Sequence, residues 1–129
     1  MELLDHFQSI LLIAFGSALG ANTRFIIYKK LERINLSKNY IILLINTSSS
    51  FFLGLFLTIL SKNSSLSYSY QLGLFFSIGI LGSLSTFSTF VCDLYDLFLN
   101  QKFYRALKLF IISITLGILS FAIGFFLGM

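Results

Sequence analysis

The chain has 129 residues, of which 57% are hydrophobic and only 11% charged. A soluble domain carries about 25% charged residues, so this composition excludes one: the chain cannot cover itself with a polar surface. One cysteine (Cys92) and one histidine (His6) exclude an intramolecular disulfide and a zinc cluster, and the net charge of +4 sits in short joins between apolar runs rather than in a nucleic-acid-binding patch.

Four segments are long enough to span a bilayer, which takes about 20 mostly apolar residues. The first runs over 8–28. It is read as a retained span and not a cleavable signal, because Glu2 and Asp5 precede it instead of a basic stretch and no convincing cleavage site follows. The second covers 40–60, the third 70–98 and the fourth 103–127, joined by Lys29–Asn39, Ser61–Ser69 and Leu99–Lys102. Residues Asn63–Ser69 read as a serine-rich exposed turn. The joins leave no room for a second domain, so residues 1–129 form one all-α membrane domain of four helices.

The third segment exceeds what a span needs, and its centre near Leu84 falls in the polar run Ile80–Asp93. Two half-helices meeting at Gly82–Ser85 account for both the length and the polarity. The alternative is one tilted helix whose hydroxyls bond back to carbonyls a turn earlier. A break in lipid survives only where protein or a water-filled cavity satisfies the freed backbone, and broken midplane helices are one way to build ion sites.

Small residues recur at four-residue spacing: Gly16 and Gly20, Ser50 and Gly54, Ser113 and Gly117, Gly124 and Gly128. Such pairs let helices approach closely in lipid, and packing is the reading preferred for most of them. The basic residues are lopsided. Arg24, Lys29, Lys30, Arg33 and Lys38 flank the first join and Lys102, Arg105 and Lys108 the third, against Lys62 alone on the other side. Eight against one predicts both termini outside the cytoplasm.

No enzyme constellation is present. Asp93 and Asp96 read as interfacial carboxylates facing the bases of the following join. The polar residues within spans are neutral: Asn46 heading the run Asn46–Ser50, then Ser83, Ser85, Thr86, Ser88 and Thr89, then Ser113, Thr115 and Ser120. Uncharged donors suit an anion that must be partly dehydrated without being trapped. For an isolated serine interhelical glue is the preferred reading; for Asn46, whose amide is harder to hide in lipid, function is preferred. Phe87 and Phe90 share a helix face at three-residue spacing. Their electropositive ring edges could touch an anion, but in a chain with 16 phenylalanines packing is the commoner role.

Three motifs in order resemble the Fluc (CrcB-type) fluoride channel family. Gly79-Ile80-Leu81-Gly82-Ser83-Leu84-Ser85-Thr86-Phe87-Ser88-Thr89-Phe90 resembles its G-x-x-G-[GA]-x-T-T-F-S-T-F signature, Gly20-Ala21-Asn22-Thr23-Arg24 its G-A-x-x-R, and Asn46 through Gly54 its N-x-x-G-[SA]-F-x-x-G. The resemblance covers nearly the whole chain. It implies an antiparallel two-subunit assembly in the cell membrane, with two fluoride pores and one structural, non-transported sodium ion at its centre. It further implies that the backbone carbonyls of Gly82 and Ser85 hold the sodium, that Phe87 and Phe90 line fluoride, that Asn46 is the pore amide, that Ser88 and Thr89 of the family's hydroxyl run and Ser113 of its fourth-helix polar track belong to the fluoride pore, and that Arg24 lies near a vestibule and draws anions in. Ser17, Ser49 and Ser83 stand where the family favours glycine or alanine, and Leu109 where many members have tyrosine.

The implied activity is passive fluoride efflux that lowers cytoplasmic toxicity. An antiparallel homodimer needs one sequence inserted both ways, so the charge bias favours a heterodimer with an inverted homologue over a homodimer. Two rivals differ testably. A small multidrug-type proton-coupled exporter needs a membrane-embedded carboxylate, and the first span has none between Gln8 and Tyr28. A non-conducting assembly subunit predicts that Asn46→Ala or Phe87→Ala would affect stability alone.

Overall fold

The computed structural model describes residues 1–65 and 67–129; Leu66, within the turn expected at Asn63–Ser69, lies outside the described residues. The described chain is helical, with four elements each long and apolar enough to cross a membrane: α1 (Glu2–Glu32), α2 (Lys38–Lys62), α3 (Ser69–Leu99, broken) and α4 (Phe103–Gly128). The helices run past the apolar limits read from the sequence because their ends are chemically suited to helix termini. Glu2 and Asp5 sit in the first turn of α1 and Lys29 and Lys30 in its last, each charge complementing the helix dipole.

Most large apolar side chains face outward, as lipid or a partner subunit requires. The small core centres on α2, through Ile41, Ile42 and Ile45, with Leu74, Phe90 and Ala106 closing on it. Close packing follows the four-residue stripes. A Cβ added at Gly124 would collide with the Phe51 carbonyl, and one at Gly54 with the Phe121 carbonyl, so α2 and α4 meet backbone to backbone. Across that contact Ser120 Oγ donates to the Thr47 carbonyl at 3.0 Å. The Thr58 hydroxyl lies 3.0 Å from the Gly54 carbonyl and 3.2 Å from the Phe125 carbonyl. Each bond of this kind contributes about 0.6 kcal/mol in a membrane. The first half of α3 packs on α1 in the same way: a Cβ at Gly16 would lie 2.6 Å from the Phe75 carbonyl oxygen and 3.1 Å from Gly79 Cα.

Helix α3 is interrupted. Its first half is a single α turn (Ser69–Gly73), a π-helical stretch (Leu74–Leu81) and a last α turn (Gly82–Leu84); its second half is Phe87–Leu99. Between them Ser85 (φ −73°, ψ 149°) and Thr86 (φ −129°, ψ 94°) are extended. The break therefore falls at the C-terminal edge of the run Gly82–Ser85. Gly82 stays helical, at φ −63° and ψ −39°, because glycine permits a break without forcing one, whereas β-branched Thr86 favours extended backbone. Some hydroxyls do bond back within their helix, as Ser83 Oγ does to the Ile80 carbonyl at 3.1 Å, yet the helix breaks two residues later all the same.

After α3 the chain turns sharply. Gln101 has φ 57°, its N–H donates to the Phe98 carbonyl at 3.0 Å and the Lys102 N–H to the Leu97 carbonyl at 2.9 Å. That bond pair is a Schellman ending, with glutamine where glycine is usual. It returns α4 antiparallel beside the second half of α3.

Candidate functional site

Breaking α3 frees backbone groups that lipid cannot answer. The Thr86 N–H is answered from α2, where it donates to Asn46 Oδ1 at 2.8 Å. Only oxygen can accept from an N–H, so this bond fixes the amide's orientation and leaves the two Nδ2 donors for another acceptor. Thr86 is buried. On the other side of the break, Arg24 Nη1 donates to the Ser83 carbonyl at 3.2 Å. The guanidinium at the end of the G-A-x-x-R motif thus caps the first half of α3 and ties α1 to the break.

Asn46, Ser85, Phe87, Phe90 and Ser113 all line one cavity of about 250 Å³, together with Ser50, Phe110, Ile114 and Gly117. Helix α2 contributes Asn46 and Ser50, one turn apart. Helix α4 contributes Phe110, Ser113, Ile114 and Gly117, a stripe at three- and four-residue spacing on one face. Phe90 is 9% exposed; its ring stacks on Phe110 at 6.3 Å and 22° and meets Phe87 at 6.3 Å and 45°. Phe87 is 77% exposed at the open side of the cavity. Residues with neutral N–H and O–H donors therefore line the cavity together with aromatic rings, and no acid is among its lining residues.

Ser88 and Thr89 are not among the residues lining this cavity; Ser88 is exposed and Thr89 half-buried. Sequence reasoning missed Phe110 and Ile114 as cavity residues and read Ser50 and Gly117 as packing residues; the place of Phe110 three residues before Ser113 carries its signal. Asp93 departs from expectation as well. It is 6% exposed and pairs at 3.0 Å with Lys38 Nζ at the start of α2, not with the bases after α3. The pair clamps the second half of α3 to the helix that carries Asn46.

The fit of the break to a cation can be judged from its carbonyls. Among the described residues no N–H reaches the Gly82 or Ser85 carbonyl, and no cluster of His, Cys, Asp or Glu could hold a metal. Any cation here would be held by backbone oxygens, the hard donors that hard cations prefer.

Four membrane-spanning helices, the third broken against a largely apolar cavity that carries a few neutral polar side chains and no acid, define a small multi-pass membrane protein built to pass an ion. Residues 11–125 match the family described as CrcB-like protein, Camphor Resistance (CrcB), and the chain belongs to that family. It is similar to a protein of Prochlorococcus marinus (strain NATL2A) named Fluoride-specific ion channel FluC 2, being 58% identical over 121 residues that cover 94% of this chain and 98% of the relative. It is also similar to Fluoride-specific ion channel FluC 1 of Parasynechococcus marenigrum (strain WH8102), at 36% identity over 92% and 91% of the two chains. Fluoride-specific ion channel FluC of Desulfotalea psychrophila is 29% identical over 97% of this chain and 95% of its own.

Proposed function

We propose that the chain is a subunit of a fluoride channel that lets fluoride leave the cell down its electrochemical gradient. The observation that carries this reading is the convergence of Asn46, Phe87, Phe90 and Ser113 on one cavity at the helix break, in a chain whose relatives carry the fluoride-channel name. Fluoride is small and strongly hydrated. The Asn46 Nδ2 donors, the Ser113 hydroxyl and the ring edges replace part of its water shell, and the absence of a lining cation keeps binding weak enough for release.

The working unit is an antiparallel pair. In support, the cavity is open at Phe87, Gly82 is exposed beside it, and a second subunit would close both. The eight-to-one charge bias fixes one insertion orientation, so the partner is an inverted homologue rather than a flipped copy. Matches to relatives numbered FluC 1 and FluC 2 accord with paired chains. A reporter fused to either terminus should show a single orientation; equal populations in both would exclude the heterodimer.

Sodium is assigned to the Gly82 and Ser85 carbonyls, two from each subunit. Its positive charge would satisfy the oxygens freed at the break and hold the half-helices in place. This chain's own residues do the rest: Arg24 caps Ser83, Asn46 caps Thr86, and together they fix where the aromatic pair stands.

Expression in a bacterial strain stripped of its fluoride exporters tests the function. Growth on fluoride should return with the chain and its partner; continued sensitivity with the protein in the membrane would refute it.

A further inference from the structure

Asp93 is the one buried acid among the described residues. It stands in the second half of α3, three residues after Phe90 and four before Leu97, so the three share one face of the helix. Phe90 lines the cavity at the break. Leu97 lines a second cavity, of about 270 Å³, with Leu43 of α2 and Leu109 and Ile112 of α4 among its other walls. Leu43 and Leu109 lie one turn before Asn46 and Ser113, so the second cavity extends the same α2–α4 groove. Its charged lining residues are the bases Arg105 and Lys108, and no acid lines either cavity. At 1.5 Å per residue Asp93 is about 4.5 Å along the axis from Phe90, beside the junction of the two cavities. Its register would turn a carboxylate toward the groove. Instead Asp93 Oδ1 lies 3.0 Å from Nζ of Lys38, the first residue of α2. Asp96, one turn further on, is exposed and lines neither cavity.

We propose, resting on the fluoride-channel reading, that Lys38 is a charge-compensating residue of the fluoride path: it turns the Asp93 carboxylate off the groove and cancels its charge, so that an anion passes this level without repulsion. The two partners are not equivalent. The Asp93 side chain is 6% exposed and that of Lys38 52%. Water screens the lysine, so its own charge reaches the groove weakly. A buried carboxylate left alone acts through a medium of lower dielectric that salt scarcely screens. This role is separate from the clamp between α3 and α2. A clamp governs how many channels assemble; compensation governs how much each one conducts.

The test is unitary fluoride current through the assembled channel in planar bilayers, which reads conduction per channel and not the number of channels. Lys38→Met, which strands the acid, should cut unitary current roughly tenfold. Lys38→Arg, which keeps the pair, and Lys38→Met/Asp93→Asn, which removes both charges, should stay within about twofold of wild type. Asp93→Asn alone should do the same, because the lysine it frees faces water. Lys38→Gln keeps a hydrogen-bond donor for the carboxylate without cancelling its charge, so it carries the test if Lys38→Met does not assemble, and the same loss is expected of it. Full unitary current in Lys38→Met or Lys38→Gln, with only fewer channels, would overturn the proposal and leave the pair a clamp. A loss that persists when Asp93→Asn is added would overturn it as well, since the lysine's own charge would then be the cause. An assembled wild-type channel with no fluoride current would instead refute the channel reading, and this one with it.

Discussion

Asn46 Oδ1 accepts the backbone N–H of Thr86 at 2.8 Å. That oxygen seals the break in α3, and the two Nδ2 donors of the same cavity-lining residue are left for another acceptor. The two roles separate by substitution. Asn46→Ala strands a buried N–H, at a cost of about 1–3 kcal/mol, and should lower both thermal stability and flux. Asn46→Asp keeps an acceptor for Thr86 and replaces the donors with negative charge. A like charge about 4 Å from the ion raises its energy by about 4 kcal/mol at an effective dielectric of about 20. Stability should hold while fluoride flux falls more than a hundredfold; unchanged flux in Asn46→Asp would remove this residue from the path.

The two phenylalanines of the signature differ in environment and should differ in consequence. Phe90 is packed between Phe87 and Phe110, so Phe90→Ala should cost about 3–5 kcal/mol and impair folding. Phe87 is mostly exposed, so Phe87→Ala should change the chain's own stability by less than about 1 kcal/mol while flux falls at least tenfold. Thermal unfolding in detergent together with efflux separates the two. A purely structural subunit would lose nothing at Phe87.

The Lys38–Asp93 pair gives a third prediction. Removing the lysine leaves a buried carboxylate unpaired, while the half-exposed lysine is itself screened by solvent. Lys38→Met should therefore destabilise by about 1–3 kcal/mol, and adding Asp93→Asn should recover part of that. A double-mutant cycle with no coupling would show that the pair does not clamp α3 to α2.

Glycines of one stripe on α4 should respond oppositely. At Gly124 a Cβ meets the Phe51 backbone, whereas at Gly117 the nearest atom, Ser50 Oγ, is 3.8 Å away. Gly124→Ala should cost about 1–3 kcal/mol and reduce the yield of folded protein. Gly117→Ala should fold normally and, because Gly117 lines the cavity, narrow the path and slow flux. Yield and efflux measured for both variants check the contrast.

Much of this was legible in the sequence because lipid leaves few options. Runs of about 20 apolar residues must be helices. A polar run inside one marks a place where backbone must find other partners, and the run Gly82–Ser85 places the break at its C-terminal edge, where Ser85 and Thr86 are extended. The four-residue stripes announced the tight contacts at Gly16, Gly54 and Gly124. What the sequence did not carry were partners distant along the chain. Arg24 finds Ser83 59 residues away and Asn46 finds Thr86 40 residues away. Asp93 stands nearest in sequence to the bases of the following join, yet tertiary packing gives it Lys38. The π-helical stretch over Leu74–Leu81 had no signal, since its residues read like any apolar span. Phe110 was hidden by number: among 16 phenylalanines, only its register with Ser113 distinguishes it.

The central claim is that the groove at the break of α3 conducts fluoride. Its most direct test is efflux from liposomes loaded with potassium fluoride or potassium chloride, with sodium present and valinomycin clamping the voltage, holding this chain alone or with an inverted homologue. The account predicts fast fluoride efflux in at least one preparation, none with chloride, and abolition by Asn46→Asp. Silence from both preparations with assembled protein in the membrane, or chloride passing as readily as fluoride, would contradict it.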